Sequence, residues 1–405
     1  MTTEAAERLP ASIAPAVSLP FVLASVALAA AYGATFLLAD AFAARGLPVS
    51  VAGSVISVGT VTTIVAALLA GRLAERIGLI EAILAAAVAM GLAMACFAAA
   101  GWGTGAAHAG GLFLGIGWSV FYILAPIQVI ACVRAEARLK YLTLLSGSQM
   151  LGIGLAAPAG RWLAGGLGSF PAAFAAFAAG CAGAVALLAV ARRLLRDVPQ
   201  MAQPSYRLTA AGIAGVMRGR TAFPVIMIGL GACVFAGLST FQSVYAEARG
   251  LTPDIFFVTF TVTVVVLRFA VSGVIGRVPV GRLTAGLYAC VLVGLGLLLV
   301  NEGSAVVYCA ATVAFATGYG LAYSTLNGFV VHLAGATGRP VAVASQVFTL
   351  SYFLGLFGFP YLAGAILAGA AFDTLLVAMA GLVAVNLLLL AGAFMRPAAA
   401  ADGSR

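Results

Sequence analysis

The sequence predicts an all-α membrane protein of twelve spanning helices, arranged as two pseudo-symmetric six-helix bundles. Three observations carry this. Of the 405 residues, 63% are hydrophobic and only 8% are charged, with mean hydropathy +1.13; a soluble domain carries about a quarter of its residues as charges. Apolar runs long enough to cross roughly 30 Å of hydrocarbon recur along the whole chain. Short patterns in the first half return in the second at a nearly constant offset.

The runs place spans one to twelve at 17–44, 50–70, 80–100, 106–133, 141–166, 170–191, 222–246, 254–275, 283–301, 304–333, 341–368 and 374–395. They read as helices, because none shows the period-2 alternation of a barrel strand. The first fifteen residues set Glu4 and Glu7 against Arg8 alone. That is not the basic start of a signal peptide, so span one is expected to be retained and to enter from the cytoplasm.

The net charge of +9 raises the question of an anionic partner such as nucleic acid. Its placement answers it. With twelve spans and a cytoplasmic N-terminus, seventeen of the 21 basic residues fall on the cytoplasmic side, including Arg72, Arg76, Arg134, Arg138, Lys140, Arg192 and Arg193. The opposite side receives Arg45, Arg161 and Arg249, and Arg268 falls inside a helix. This is the positive-inside asymmetry, so the charge reports topology. The six cysteines stand singly in apolar spans and read as small core residues. With only His108 and His332 beside them, no paired metal or haem ligands appear. The single lysine, Lys140, follows Leu139 and makes no phosphate-binding loop, and no hydrolase signature occurs. The expectation is a protein that is not an enzyme.

Residues 192–220 form the longest polar stretch, with six arginines, and divide a bundle at 1–191 from one at 221–405. Across this linker Ala44-Arg45-Gly46-Leu47 returns as Ala248-Arg249-Gly250-Leu251. Gly117-Trp118-x-x-x-Tyr122 returns as Gly318-Tyr319-x-x-x-Tyr323, and Pro158 as Pro360. Parallel repeats of this kind place a transport site at the midplane between them.

The connection between spans two and three reads Gly71-Arg72-Leu73-Ala74-Glu75-Arg76-Ile77-Gly78. It resembles the G-x-L-A-D-R-x-G signature of the major facilitator superfamily (MFS), and the twelve-span, 6+6 plan extends the resemblance over the whole chain. An ordinary positive-inside loop holding one acid is the alternative reading. The departures are Glu75 for the usual Asp, and Leu79 and Ile80 where basic residues usually follow. The second-half counterpart, Gly276 to Arg282, has no carboxylate. Span five holds Gly152, Gly154, Pro158 and Gly160 in a loose version of the glycine-proline motif of the superfamily's antiporters, with Arg161 as a departure. Simple helix packing explains the same residues. The superfamily's arginine near the start of span four is replaced by Gly111, which leaves the usual coupling route in doubt.

The resemblance implies the MFS fold and secondary transport by alternating access, driven by a proton gradient with no other cofactor. It implies a small-molecule solute and the lipid bilayer as partners, no nucleic acid, and a monomer. It places the chain in a bacterial cytoplasmic (inner) membrane with both termini cytoplasmic, in a drug or metabolite efflux branch. Gly71, Glu75, Arg76 and Gly78 would then gate, and spans one, four, seven and ten would line the cavity.

The polar residues within the spans are the candidate site. Tyr319, Tyr323 and Asn327 share one face of span ten, as Trp118 and Tyr122 share one of span four. Gln242 and Tyr245 stand late in span seven, and Tyr32 and Thr35 in span one. Amphipathic aromatics with few polar groups suit an organic solute; interhelical contacts or an interface belt would use the same residues. An ionisable group deep in a span is a functional hypothesis by default. Arg268 is either an anion ligand or conformational pairing group, or a structural arginine on backbone carbonyls. Asp40 is either a titrating coupling carboxylate or an interface partner of Arg45. Three functions stand open: proton-driven export of small organic compounds, an organic-anion or monocarboxylate carrier using Arg268, and a non-transporting receptor or scaffold. The second half, with Arg268 and the span-ten face, is expected to supply more of the solute contact, and the first more of the gating.

Overall fold

A computed structural model of the chain describes residues 15–133, 135–196, 208–270 and 278–395. Glu4, Glu7, Arg8, Arg134, linker residues 197–207 and Gly276-Arg277 of the second-half connection lie outside them.

The described secondary structure is helical. Span one comprises Pro15–Gly33, a 3-10 turn Ala34–Leu37 and Leu38–Ala43. Spans two to six are Ser50–Ile77, Leu79–Ala98, Thr104–Cys132, Ala135–Leu167 and Phe170–Leu195. Span seven is Ala222–Thr240 continued by Gln242–Ala248; span eight is Asp254–Ala270. Spans nine to twelve are Val280–Val300, Ala305–Ala336, Val341–Gly369 and Phe372–Met395. Among the described residues, eleven helices are long and apolar enough to cross a membrane. Span eight is described over 17 residues, and its expected continuation to residue 275 lies outside the described residues. We call the end where span one begins proximal and the opposite end distal.

Several helices outrun the apolar runs that announced them, by most at the proximal end. Span two continues to Ile77 instead of residue 70, because Arg72 to Arg76 are good helix formers that reach water without leaving the helix. The connection to span three is thereby reduced to Gly78, whose φ of +99° a side chain would strain. Span six runs to Leu195, and a short helix, Ala210–Met217, occupies part of the linker. Thr209 caps that helix, its Oγ1 accepting from the Gly212 N–H at 3.1 Å.

The two sets of six spans repeat one another in detail. Spans one and seven both break in their distal thirds, where a hydroxyl competes for a helix carbonyl. Thr35 donates to the Tyr32 carbonyl at 2.7 Å and Ser239 to that of Phe235 at 2.6 Å. Both then stop at the same turn. The Leu47 N–H donates to the Phe42 carbonyl and the Leu251 N–H to that of Ala246, across Gly46 (φ +69°) and Gly250 (φ +63°). The repeated Ala-Arg-Gly-Leu is thus a helix stop. Close crossings repeat as well. A Cβ on Gly152 would run into the Val26 carbonyl, Ala29 and Ala30, and one on Gly355 into the Gly229 carbonyl, Ala232 and Cys233. Gly117 meets Ala86 and Met90 as Gly318 meets Leu287 and Val291. Small residues let helices approach where lipid supplies no hydrophobic drive.

The first six spans meet the last six chiefly along span two with span eleven and span five with span eight. Gly53 abuts the Pro360 carbonyl, and Gly154 abuts Thr261. Pro360 cannot donate a hydrogen bond, and beside it Ser57 of span two enters the span-eleven ladder. Its Oγ accepts from the Tyr361 N–H at 2.9 Å and donates to the Phe357 carbonyl at 2.6 Å.

Candidate functional site

An aromatic layer crosses the centre of the molecule. Tyr32 of span one stacks on Trp118 of span four, centroids 4.6 Å apart and planes at 15°. Its repeat equivalent is a second stack, Phe235 of span seven on Tyr319 of span ten, at 4.5 Å and 3°. Between the stacks Tyr122 meets Tyr323, Tyr352 and Phe353 at 6.1, 5.9 and 5.4 Å. The phenols of Tyr122 and Tyr323 are within hydrogen-bonding reach, as are those of Tyr319 and Tyr352. Tyr32 and Trp118 are buried, while Tyr122 and Tyr323 are half-buried. The Trp118 indole nitrogen is buried with no partner among the described residues. Asn327 continues the Tyr319 and Tyr323 face, its Oδ1 accepting from Ser345 of span eleven at 3.0 Å.

Arg268 reaches this layer from span eight. Its guanidinium donates to Ser146 of span five and lies within electrostatic range of the Tyr122 and Tyr352 phenols. It takes part in none of the ion pairs found among the described residues, and its Nε is buried without a partner among them.

A second polar layer closes the distal end. Arg161 donates through Nε to Asp40 at 2.9 Å and through Nη1 to Asp254, and its guanidinium covers the Phe257 ring at 5.6 Å. The expected pairing of Asp40 with Arg45 is therefore corrected. Arg45 donates instead to the Ala100 carbonyl at 2.7 Å, since the helix stop at Gly46 turns it away from the bundle axis toward the end of span three. Gln242 is not brought to the aromatic layer; it is buried in the distal part, where its amide donates to Tyr308 of span ten. Neighbouring Tyr245 donates to the Leu298 carbonyl at 2.8 Å.

The proximal motif is a helix end more than a loop. Gly71, Glu75 and Arg76 lie in the last turns of span two, with Glu75 and Arg76 exposed and Gly78 at the turn. Glu81, one turn into span three, receives Arg192 of span six at 2.9 Å. In span five Gly154 faces span eight, whereas Gly160 faces Leu37 of span one. Gly111 packs onto the Val55 carbonyl of span two, so no side chain fits there, let alone an arginine. A separate apolar pocket opens proximally among Phe21, Val22, Gln128, Tyr141 and Leu195, away from the aromatic layer.

Sequence reasoning missed Tyr352, Ser57, Ser146 and Asp254. Tyr352 lies eight residues before Pro360, two helical turns along span eleven, and was the most findable.

The model of the Major Facilitator Superfamily matches residues 20–357. The chain belongs to that superfamily, and so is a secondary transporter of the membrane and not an enzyme. No curated protein matches it. Among solved structures it is similar to the E. coli fucose:proton symporter FucP at 15% identity, covering 94% of this chain and 98% of that one, TM-score 0.62. It is similar to the POT family transporter PepTSo at 12% identity, 93% and 97% coverage, TM-score 0.75. It is similar to the nucleoside transporter NupG at 13% identity, 94% and 100% coverage, TM-score 0.73. At these identities the likeness is one of fold.

Proposed function

We propose that the chain exports small, largely apolar organic compounds across a bacterial cytoplasmic membrane in exchange for protons, by rocking a bundle at 1–191 against one at 221–405. Both termini and the 192–220 linker then face the cytoplasm, in keeping with the basic proximal end. The observation that carries the reading is the aromatic layer, which draws Tyr32, Trp118 and Tyr122 from one bundle and Tyr319 and Tyr323 from the other. Rings with few polar tips hold a planar or apolar body by stacking while leaving it free to depart. Asn327 trims selectivity at the proximal edge; Gln242 supports the distal side. The span-two end, with Glu75 and Arg76, gates the proximal face. The loose glycine-proline pattern of span five supports export, and the distal carboxylates, Asp40 among them, are available to carry the proton.

The test is a panel of organic compounds added to inverted membrane vesicles holding a proton gradient. Members of the panel should dissipate the gradient in the parent, and Trp118→Ala or Tyr319→Ala should change which ones do. A panel with no active member, alongside a stable binding partner, would favour the receptor or scaffold reading.

A second reading has its own observation. Arg268 sits beside the aromatic layer without a carboxylate partner among the described residues, as a ligand for a carboxylate-bearing solute would. An anion carried equally well by the parent and Arg268→Gln would remove it.

A further inference from the structure

Three N–H groups around the aromatic layer are buried with no partner among the described residues: the indole of Trp118, Nε2 of Gln149 and Nε of Arg268. They come from spans four, five and eight. Trp118 is 1% exposed and Gln149 4%. Gln149 faces inward by its register on span five. Ser148 and Gly152 beside it meet Ser25 and Val26 of span one, Ser146 and Gly154 meet Arg268 and Thr261 of span eight, and Gln149 falls between those two edges. The exposed Leu144, Leu151 and Leu155 take the opposite side. Ile153, one turn along from Gln149, abuts Gly33, the neighbour of Tyr32. Gln149 therefore stands within about one turn of the Tyr32–Trp118 stack.

All three groups donate hydrogen bonds and none can accept one. The phenols offer a solute less, because Tyr122 and Tyr323 lie within reach of one another, as do Tyr319 and Tyr352. Buried donors are ordinarily paired, and one left alone is costly. A solute that brings an acceptor recovers that cost; one that brings only apolar atoms leaves the donors unpaired.

We infer that the layer selects its solutes by a carbonyl acceptor, and that its preferred ligand is a neutral, planar aromatic ketone or lactone. This rests on the export reading only in taking the aromatic layer as the solute site. The rings of the solute lie among those of the layer, and its carbonyl oxygen accepts from the Trp118 N–H. The second lone pair of that oxygen accepts from the Gln149 amide. The ligand is neutral because these two donors are uncharged, and Arg268 already donates to Ser146.

The test is one of binding, with neither gradient nor flux. The full chain in lipid nanodiscs is dialysed against 9-fluorenone, fluorene and fluorene-9-carboxylate, and protein-free nanodiscs give the lipid background. The parent should bind fluorenone about tenfold more tightly than fluorene, which has the same rings without the oxygen. Trp118→Phe and Gln149→Leu should each cut that ratio to about threefold or less, and continued binding of fluorene shows that the layer is still folded. Equal affinity of the parent for fluorenone and fluorene would overturn the assignment. So would a ratio that either variant leaves untouched, or tighter binding of the carboxylate than of fluorenone. A chain that exports nothing in vesicles can still pass this test, and export indifferent to a carbonyl oxygen would overturn the assignment while leaving the export reading in place.

Discussion

At the scale of single residues, the chain's unusual positions follow from what each must avoid. Gly78 carries the whole turn between spans two and three at a φ of +99°, so Gly78→Ala should cost about 1–3 kcal/mol, read as a lower melting temperature in detergent. Trp118 is fully buried against Tyr32, and Trp118→Ala should destabilise by about 3–5 kcal/mol, with Trp118→Phe keeping the stack and losing less than half of that. Equal stability of the two variants would show that the ring does not pack as described. Residues of this kind were partly legible in the sequence. Tyr319, Tyr323 and Trp118 were found because helical spacing is local. Asp254 and Ser57 were not, because their partners lie 93 and about 300 residues away and nothing in the local pattern announces them.

At the scale of helices, the twin crossings make a quantitative demand. Gly152 of span five, against span one, and Gly355 of span eleven, against span seven, meet equivalent atoms, so Gly152→Val and Gly355→Val should destabilise by similar amounts. A large difference in unfolding midpoint would mean that the two crossings are not equivalent. Ser57 makes a different contribution: it supplies the donor and acceptor that the span-eleven ladder lacks beside Pro360. Ser57→Ala should weaken the distal closure by about 1 kcal/mol, seen as faster labelling of a distal cysteine with no loss of folded protein. The lengths of the spans were legible only at their apolar centres. Their proximal ends were underread because Arg72 to Arg76 and Arg192 to Leu195 stay helical while leaving the hydrocarbon, and hydropathy does not see that.

At the scale of the whole molecule, the groups sort by depth, while the expectation that the first bundle does more of the gating and the second more of the solute contact stands as a proposal. Both bundles supply rings to the aromatic layer, and both supply carboxylates to the distal one. A functional contrast between Glu75→Gln and Asn327→Ala remains a sound test of the proximal gate: the first should slow exchange of every solute, the second should change which solutes move. The 6+6 plan was legible from the offset alone, since helix stops and glycine crossings must repeat if the backbone does. How the bundles close on one another was not, because that depends on residues that do not repeat. One feature of the connections bears on this in mechanical terms. Gly78 is a one-residue tether, so the proximal ends of spans two and three, Arg76 and Glu81 among them, must travel together. Between Leu195 and Ala210 the chain has fourteen residues, a contour of up to about 45–50 Å. The strokes that matter are therefore never limited by the string that joins the two bundles.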